Sequence, residues 1–316
     1  MPTCNLSVTS NTHETIEATG GRRAMTTLHL PTSQRLWFGR LAAVGLAGAL
    51  LLGGSTAWAG RGGSPQAMAS AIRSGSADAI KSELERAEVL VCAACVDYVL
   101  PLIDHEDESV REVAGWWLVR RGVSRQVFKD MLGRLGQPDS IKARNAADIL
   151  GSFRSAQAIP ALGAALSNPV FTGEARVAMA KALGNISRPA AAAPLQAVLT
   201  DSDPLVRAAS LAALRNVQGF SDGAVAAPLL SDGDANVRVQ AIFTVGQLRT
   251  ASAAPTLVQV LQNDTSPEVR KRAAWALGHM NASASVAAPA LTQAAANDPS
   301  PFVRSLARAA LANLGK

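Results

Sequence analysis

A chain of 316 residues that is 48% hydrophobic but only 4% aromatic, with a single Tyr, must fill its interior with Ala, Leu and Val. That composition excludes an aromatic-rich core and favours closely packed helices, because Ala has the best helix propensity and lets backbones approach. The net charge of +6 raises nucleic acid as a partner. However, Arg22, Arg23, Arg35 and Arg40 stand in a segment that reads as removed, and beyond it no basic run exceeds the pair Arg120-Arg121 or the three residues Arg270, Lys271-Arg272. The mild excess that remains sets nucleic acid aside.

In chain order, residues 1–59 read as a polar extension followed by a signal peptide. Basic Arg35 and Arg40 precede an apolar stretch from Leu41 to Leu52, and Ala57-Trp58-Ala59 supplies small residues three and one before a cut after Ala59. The unperiodic residues 1 to 24 make Met25 a candidate start, and no Cys follows the cut to carry a lipid. The expectation is a soluble protein delivered across one membrane, in a bacterium to the periplasm. Left uncleaved, the charge-free Leu41–Ala59 stretch is just long enough to span a bilayer, the one case in which a membrane is expected as partner.

Residues 60–88 begin Arg61-Gly62-Gly63-Ser64-Pro65 and read as a linker with N-terminal capping helices, including Ala77 to Arg86. Next comes Cys92-Ala93-Ala94-Cys95, holding the only two cysteines beyond the signal. An even count in an oxidising compartment suggests a disulfide, buried thiols are the bland alternative, and a C-x-x-C pair can be a redox or metal centre. Helical spacing would put both sulfurs on one face of the apolar Val89–Leu102 stretch. Val96 occupies the place of the His in the haem-attachment signature.

From residue 89 to 316 one signature returns: Val110-Arg111, Val206-Arg207, Val237-Arg238, Val269-Arg270 and Val303-Arg304, with Ala175-Arg176 as a variant. Successive intervals from Arg176 to Arg304 are 31, 31, 32 and 34 residues, and the 65 residues between Arg111 and Arg176 leave room for a degenerate copy around Lys142 to Gly151. Small or apolar residues fall three, six and seven positions after each Arg, the spacing of one helical face. Another apolar segment precedes each such helix, as in Pro160–Leu166, Pro194–Leu199 and Pro255–Leu261, and Asp and Pro recur in the turn between. Each unit therefore reads helix, tight turn, helix, and seven units are expected to bury one another's faces.

This pattern resembles the HEAT repeat, in the short form found in bilin lyases and in deoxyhypusine hydroxylase. The resemblance implies an all-α solenoid, a right-handed superhelix of about seven helical hairpins with the second helices on the concave side. It also implies a ladder in which an Asp of each turn pairs with the Arg opening the second helix. Asp201, Asp232, Asp264 and Asp298 lie six residues before Arg207, Arg238, Arg270 and Arg304. The corresponding places before Arg111 and Arg176 hold His105 and Val170, and the second unit lacks the Val-Arg pair.

If positions three, six and seven after the Arg face the core, positions two, five and nine share the opposite face. That row predicts a partner-binding surface of Trp116 and Arg120, then Lys181 and Asn185, then Asn216. It continues with Gln240, Phe243 and Gln247, and then Arg272, Trp275 and His279. The degenerate unit places Asn145, Asp148 and Ser152 there too. Trp116, Phe243 and Trp275 all take the fifth position, and large rings beside Arg, Asn and Gln are what protein interfaces use. The bland reading is that the rings fill gaps between units.

Catalytic signals are weak. The resemblance to the hydroxylase would imply a di-iron site built from several His-Glu pairs, but beyond the signal the chain offers His105-Glu106 and one further histidine, His279. The sequence therefore predicts a non-catalytic scaffold without metal, cofactor or small-molecule substrate, docking a protein or peptide. The runner-up is a redox-active accessory protein using Cys92 and Cys95, and a lyase- or hydroxylase-like enzyme rests on fold analogy alone.

Overall fold

The structure is a computed structural model that describes residues 63–314, which form helices, turns and short irregular connections, with no strand among them. The signal segment, its cut after Ala59 and the candidate start Met25 lie outside the described residues. Two short helices come first, α1 (Pro65–Ser74) and α2 (Ala77–Arg86). The Ser64 and Ser76 side chains accept from the amides of Ala67 and Ala79, and Gly75 ends α1 in the left-handed region at φ 69°, where a side chain would be strained.

Seven helical hairpins follow. They are α3 (Cys95–Val99), extended by a 3-10 turn at Leu100–Asp104, with α4 (Glu108–Leu118); α5 (Ser124–Leu135) with α6 (Ser140–Phe153); and α7 (Ile159–Leu166) with α8 (Gly173–Ile186). Next are α9 (Ala192–Ala197) with α10 (Pro204–Leu214), and a 3-10 segment at Gly223–Ser231 with α11 (Ala235–Gln247). Last come α12 (Ala254–Asn263) with α13 (Pro267–Leu277), and α14 (Ala284–Asn297) with α15 (Pro301–Leu314). The second helices α4, α6, α8, α10, α11, α13 and α15 lie each against the next, forming one layer of an all-α solenoid.

Local chemistry starts these second helices. Asp107, Asp139, Thr172, Asp203, Asp234 and Ser266 each accept a backbone N–H of the first turn, and Pro204, Pro267 and Pro301 stand where a missing N–H costs nothing. The first helices deviate from a uniform pattern. Pro289 sits inside α14, and in the fifth unit Pro228 falls within a segment that stays 3-10 throughout.

The positions three, six and seven after each Arg are buried, as at Ala114, Trp117 and Leu118 or Ala273, Ala276 and Leu277, except that Leu311 in the last unit is half-buried. The eighth position is Gly in four units and brings neighbouring second helices together. A Cβ built on Gly151, Gly184, Gly246 or Gly278 would lie 3.2 Å or less from Ala182, Ala213, Ala276 or Ala310, the sixth-position residue of the next unit. The Ala-rich composition and the packing are thus one fact: small residues set the distance between modules.

Candidate functional site

The arginine ladder forms, but in a different register from the one spacing suggested. Arg207 donates through Nη1 to the backbone carbonyl of Asp201, its own turn, at 2.7 Å. Its carboxylate partner belongs to the following unit: Nε and Nη2 reach Asp232 at 2.8 and 2.6 Å. Arg238 repeats this with the Asp232 carbonyl and the Asp264 carboxylate, and Arg270 with the Asp264 carbonyl and the Asp298 carboxylate. Arg176 likewise holds Asp201 with both Nη1 and Nη2. The expected pairing within each unit is therefore corrected to pairing between units. Arg304 donates to the carbonyls of Asp298 and Pro299 and meets no carboxylate among the described residues.

This register explains the irregular early units. Ala143 stands where the second unit should carry its Arg, and Val170 stands where the third should carry its Asp, so donor and acceptor of one rung are lost together. No buried charge is stranded, which would cost several kcal/mol. Arg111, facing a unit without the turn Asp, instead bonds Asp148 on α6 through Nε at 2.7 Å and Nη2 at 2.6 Å.

The ladder carboxylates are easy to ionise. Arg176 holds Asp201 below the ordinary carboxylate range and Arg270 does the same for Asp298, while at Asp232 burial opposes ionisation but Arg207 outweighs it. Asp148 differs: burial pushes its carboxyl up to about 6 against the pull of Arg111.

The outward row divides into two groups on separate helices. At the N-terminal end the Arg120 guanidinium lies 4.5 Å from the centre of the half-buried Trp116 ring, and Arg120 faces Glu88 at 3.5 Å. Lys181 on α8 reaches Glu108 on α4 at 3.0 Å, spanning α6. Two side chains meet across an intervening helix only on the inner side of a bend, so the second-helix layer is the inner layer here. Asn145 and Asp148, placed in this row by spacing, are buried instead, where Asn145 donates to Asp104 of the 3-10 turn and Asp148 serves Arg111. Asn185 and Asn216 are exposed.

At the C-terminal end α10, α11 and α13 assemble one cluster. The half-buried rings of Phe243 and Trp275 are 5.2 Å apart, and Trp275 lies 4.6 Å from His279. Arg272 sits 4.7 Å from the Phe243 ring centre and is held by Glu268 at 2.7 Å. Gln240 bonds Arg215, and Gln247 is exposed beside the rings' helix. Arg215 is the member that spacing missed. It occupies the eighth position, glycine in four other units, so the signal was a large cation in a slot reserved for no side chain.

Cys92 and Cys95 are joined by a disulfide. Cys92 precedes α3 rather than lying on it, so the two sulfurs do not share a helical face; the Cys95 amide donates to Cys92 Sγ at 3.1 Å. Cys95 is buried and Cys92 half-buried. The turn around His105 uses the imidazole as an acceptor for the Asp107 amide, and His279 bonds the Trp275 carbonyl. Among the described residues no three His, Cys, Asp or Glu side chains gather as a metal group would require. No helix among them is long and apolar enough to cross a membrane. The groove of about 440 Å³ lined by Leu132, Leu135, Val170 and Phe171 lies between the first helices, away from the row.

Comparison with known structures places human deoxyhypusine hydroxylase in complex with glycerol alongside this chain at 21% identity, covering 79% of this chain and 96% of that one, with a TM-score of 0.35. The Escherichia coli protein YibA aligns at 15% identity over 78% and 92%, with a TM-score of 0.49. The CpcE and CpcF complex of phycocyanin lyase from a Nostoc species aligns at 21% over 69% and 94%, with a TM-score of 0.38. Comparison with curated proteins found no match. HEAT repeats match residues 128–215, 171–230 and 223–312, together more than half the chain. With its hairpins stacked and its arginine rungs closed between them, the chain belongs to the HEAT-repeat family.

Proposed function

We propose that this protein is a non-catalytic, exported scaffold that docks a protein or peptide on the second-helix layer. The observation that carries the reading is the cluster of Phe243, Trp275, His279 and Arg272, in which two half-buried rings are held on adjacent helices without being absorbed into the core. Preordered aromatics beside Arg and amide side chains bury large area on binding at small entropic cost. Trp116 with Arg120 offers a second, smaller anchor on α4.

Export is supported by the leader pattern and by the disulfide, since such bonds persist in oxidising compartments. A non-catalytic role is supported by the distribution of ligating residues: His105 and His279 lie in the first and sixth units, too far apart in the stack to share an ion. The hydroxylase and lyase activities are those of the aligned proteins.

Trp275→Ala and Trp116→Ala test the docking reading. The expected result is unchanged helicity by circular dichroism with partner capture from periplasmic extract lost for Trp275→Ala and weakened for Trp116→Ala. Undiminished capture by both variants, or cooperative unfolding of either, removes the docking face.

A further inference from the structure

The junction between α10 and α11 is built differently from its neighbours. At four of the other five junctions a glycine at the eighth position of one second helix meets an alanine at the sixth position of the next, as Gly184 meets Ala213 and Gly246 meets Ala276. Here the same two places hold Arg215 and Thr244, and Arg215 Nη1 donates to Thr244 Oγ1 at 3.2 Å and to the Gln240 carbonyl at 3.3 Å. Nη2 donates to Gln240 Oε1 at 2.8 Å. A guanidinium is thus wedged where every comparable junction but the first excludes a long side chain.

Among the described residues that guanidinium has no counter-ion. Arg111, Arg176, Arg207, Arg238 and Arg270 each hold a carboxylate, and half-buried Arg272 holds Glu268. Arg215 touches only carbonyl, amide and hydroxyl oxygens, and burial without an acid lowers its pKa to about 10. A part-buried, uncompensated cation is costly to the folded protein, and the cost is relieved by whatever brings a negative charge to it. Its flank is apolar and already formed, with Phe243 5.8 Å away and Trp275 against Phe243.

We propose that Arg215 seats a carboxylate of the docked partner, an Asp or Glu side chain whose apolar neighbour packs on Phe243 and Trp275. This rests on the docking reading above and specifies its chemistry: an acidic peptide segment. A nucleic acid fits less well, because a phosphate chain needs free cations at successive rises, whereas Asn185, Asn216 and Gln247 of this row are uncharged and its other cations already face acids: Arg120 faces Glu88, Lys181 Glu108 and Arg272 Glu268.

The test selects a random heptapeptide phage library on the purified, immobilised full chain. Enriched peptides should carry Asp or Glu next to an aromatic or aliphatic residue, and changing that acid to its amide should weaken binding about tenfold, the worth of one charge-assisted hydrogen-bonded pair. The double variant Arg215→Gly with Thr244→Ala restores the pair used at the other junctions. It should melt no lower than the parent, yet bind acid and amide peptides equally. Selected peptides without acids, or acid preference retained by the double variant, overturn the proposal; should that variant not fold, the acid-to-amide comparison on the parent chain decides it. Displacement of the peptides by single-stranded oligothymidylate, dependent on Arg215, overturns it in favour of nucleic acid. Aromatic-rich peptides lost on Trp275→Ala without acid preference sink the carboxylate and leave the docking face standing, whereas no enrichment at all sinks both.

Discussion

A guanidinium that reaches forward to the next module's carboxylate couples two modules in a fixed sense, and at Arg207 that sense can be measured. In a double-mutant cycle, Arg207 should couple to Asp232 by about 1–3 kcal/mol and only weakly to Asp201, whose carbonyl rather than carboxylate it uses. Urea denaturation of the single and double variants reads both terms, and stronger coupling to Asp201 would refute the forward register. The carboxylates also predict opposite responses to acid. Asp201, Asp232 and Asp298 have lowered folded pKa values, so their stabilisation is present above the unfolded value and is lost as pH falls through the folded one. Asp148 is raised from 3.8 to about 6, so its contribution is full below the unfolded value and is lost as pH rises through 6. Thermal midpoints should therefore gain a component between pH 6 and 4 that disappears in Asp148→Asn, and fall at lower pH in both proteins.

At the scale of the helix pair, glycine and alanine set the spacing, and two substitutions that look alike should act oppositely. Gly278→Ala would bring its Cβ within 2.6 Å of Ala310 Cβ and 2.7 Å of its Cα, so α13 and α15 must move apart, at a cost of about 1–3 kcal/mol. Gly133 lies inside α5 with nothing within 4 Å of an added Cβ. Gly133→Ala should stabilise by roughly 0.5–1 kcal/mol, because it removes freedom from the unfolded chain. Chemical denaturation midpoints moving in the same direction for both would contradict the close-packing account. Much of this layer was legible: the three, six and seven spacing identified the buried face from Ala114 to Ala310. The rung register was not, because each Asp lies six residues before one Arg but 25 to 28 after the previous one, so the constant offset pointed to the wrong partner. Only the faults discriminate, and the missing Arg at Ala143 followed by the missing Asp at Val170 carried that information. Asn145 and Asp148 were misplaced for a related reason, since helical periodicity assigns a face but not what another unit lays over it.

For the molecule as a whole, a stack whose parts touch only their neighbours should fail locally. Reducing the Cys92–Cys95 bond opens a very short loop, whose closure is worth roughly 2 kcal/mol in the chain-entropy account. Dithiothreitol should therefore speed amide exchange across α3 and the start of α4 while leaving α10 to α15 unchanged; loss of protection along the entire array would mean the units fold as one. The proposed docking surface was only half legible in the sequence. The ring positions Trp116, Phe243 and Trp275 followed from periodicity, but which rings meet depended on the stack, and Phe243 meets Trp275 while Trp116 stands apart with Arg120. The forward-reaching rungs have one more outcome. Each module from the fourth to the sixth carries a plug for its successor and a socket for its predecessor, so copying or excising one of them whole leaves every connector mated. As far as these rungs are concerned, such an array can change length by gene duplication without a compensating mutation, whereas an insertion between the second and third modules would arrive with a plug and a socket and find neither neighbour equipped to take them.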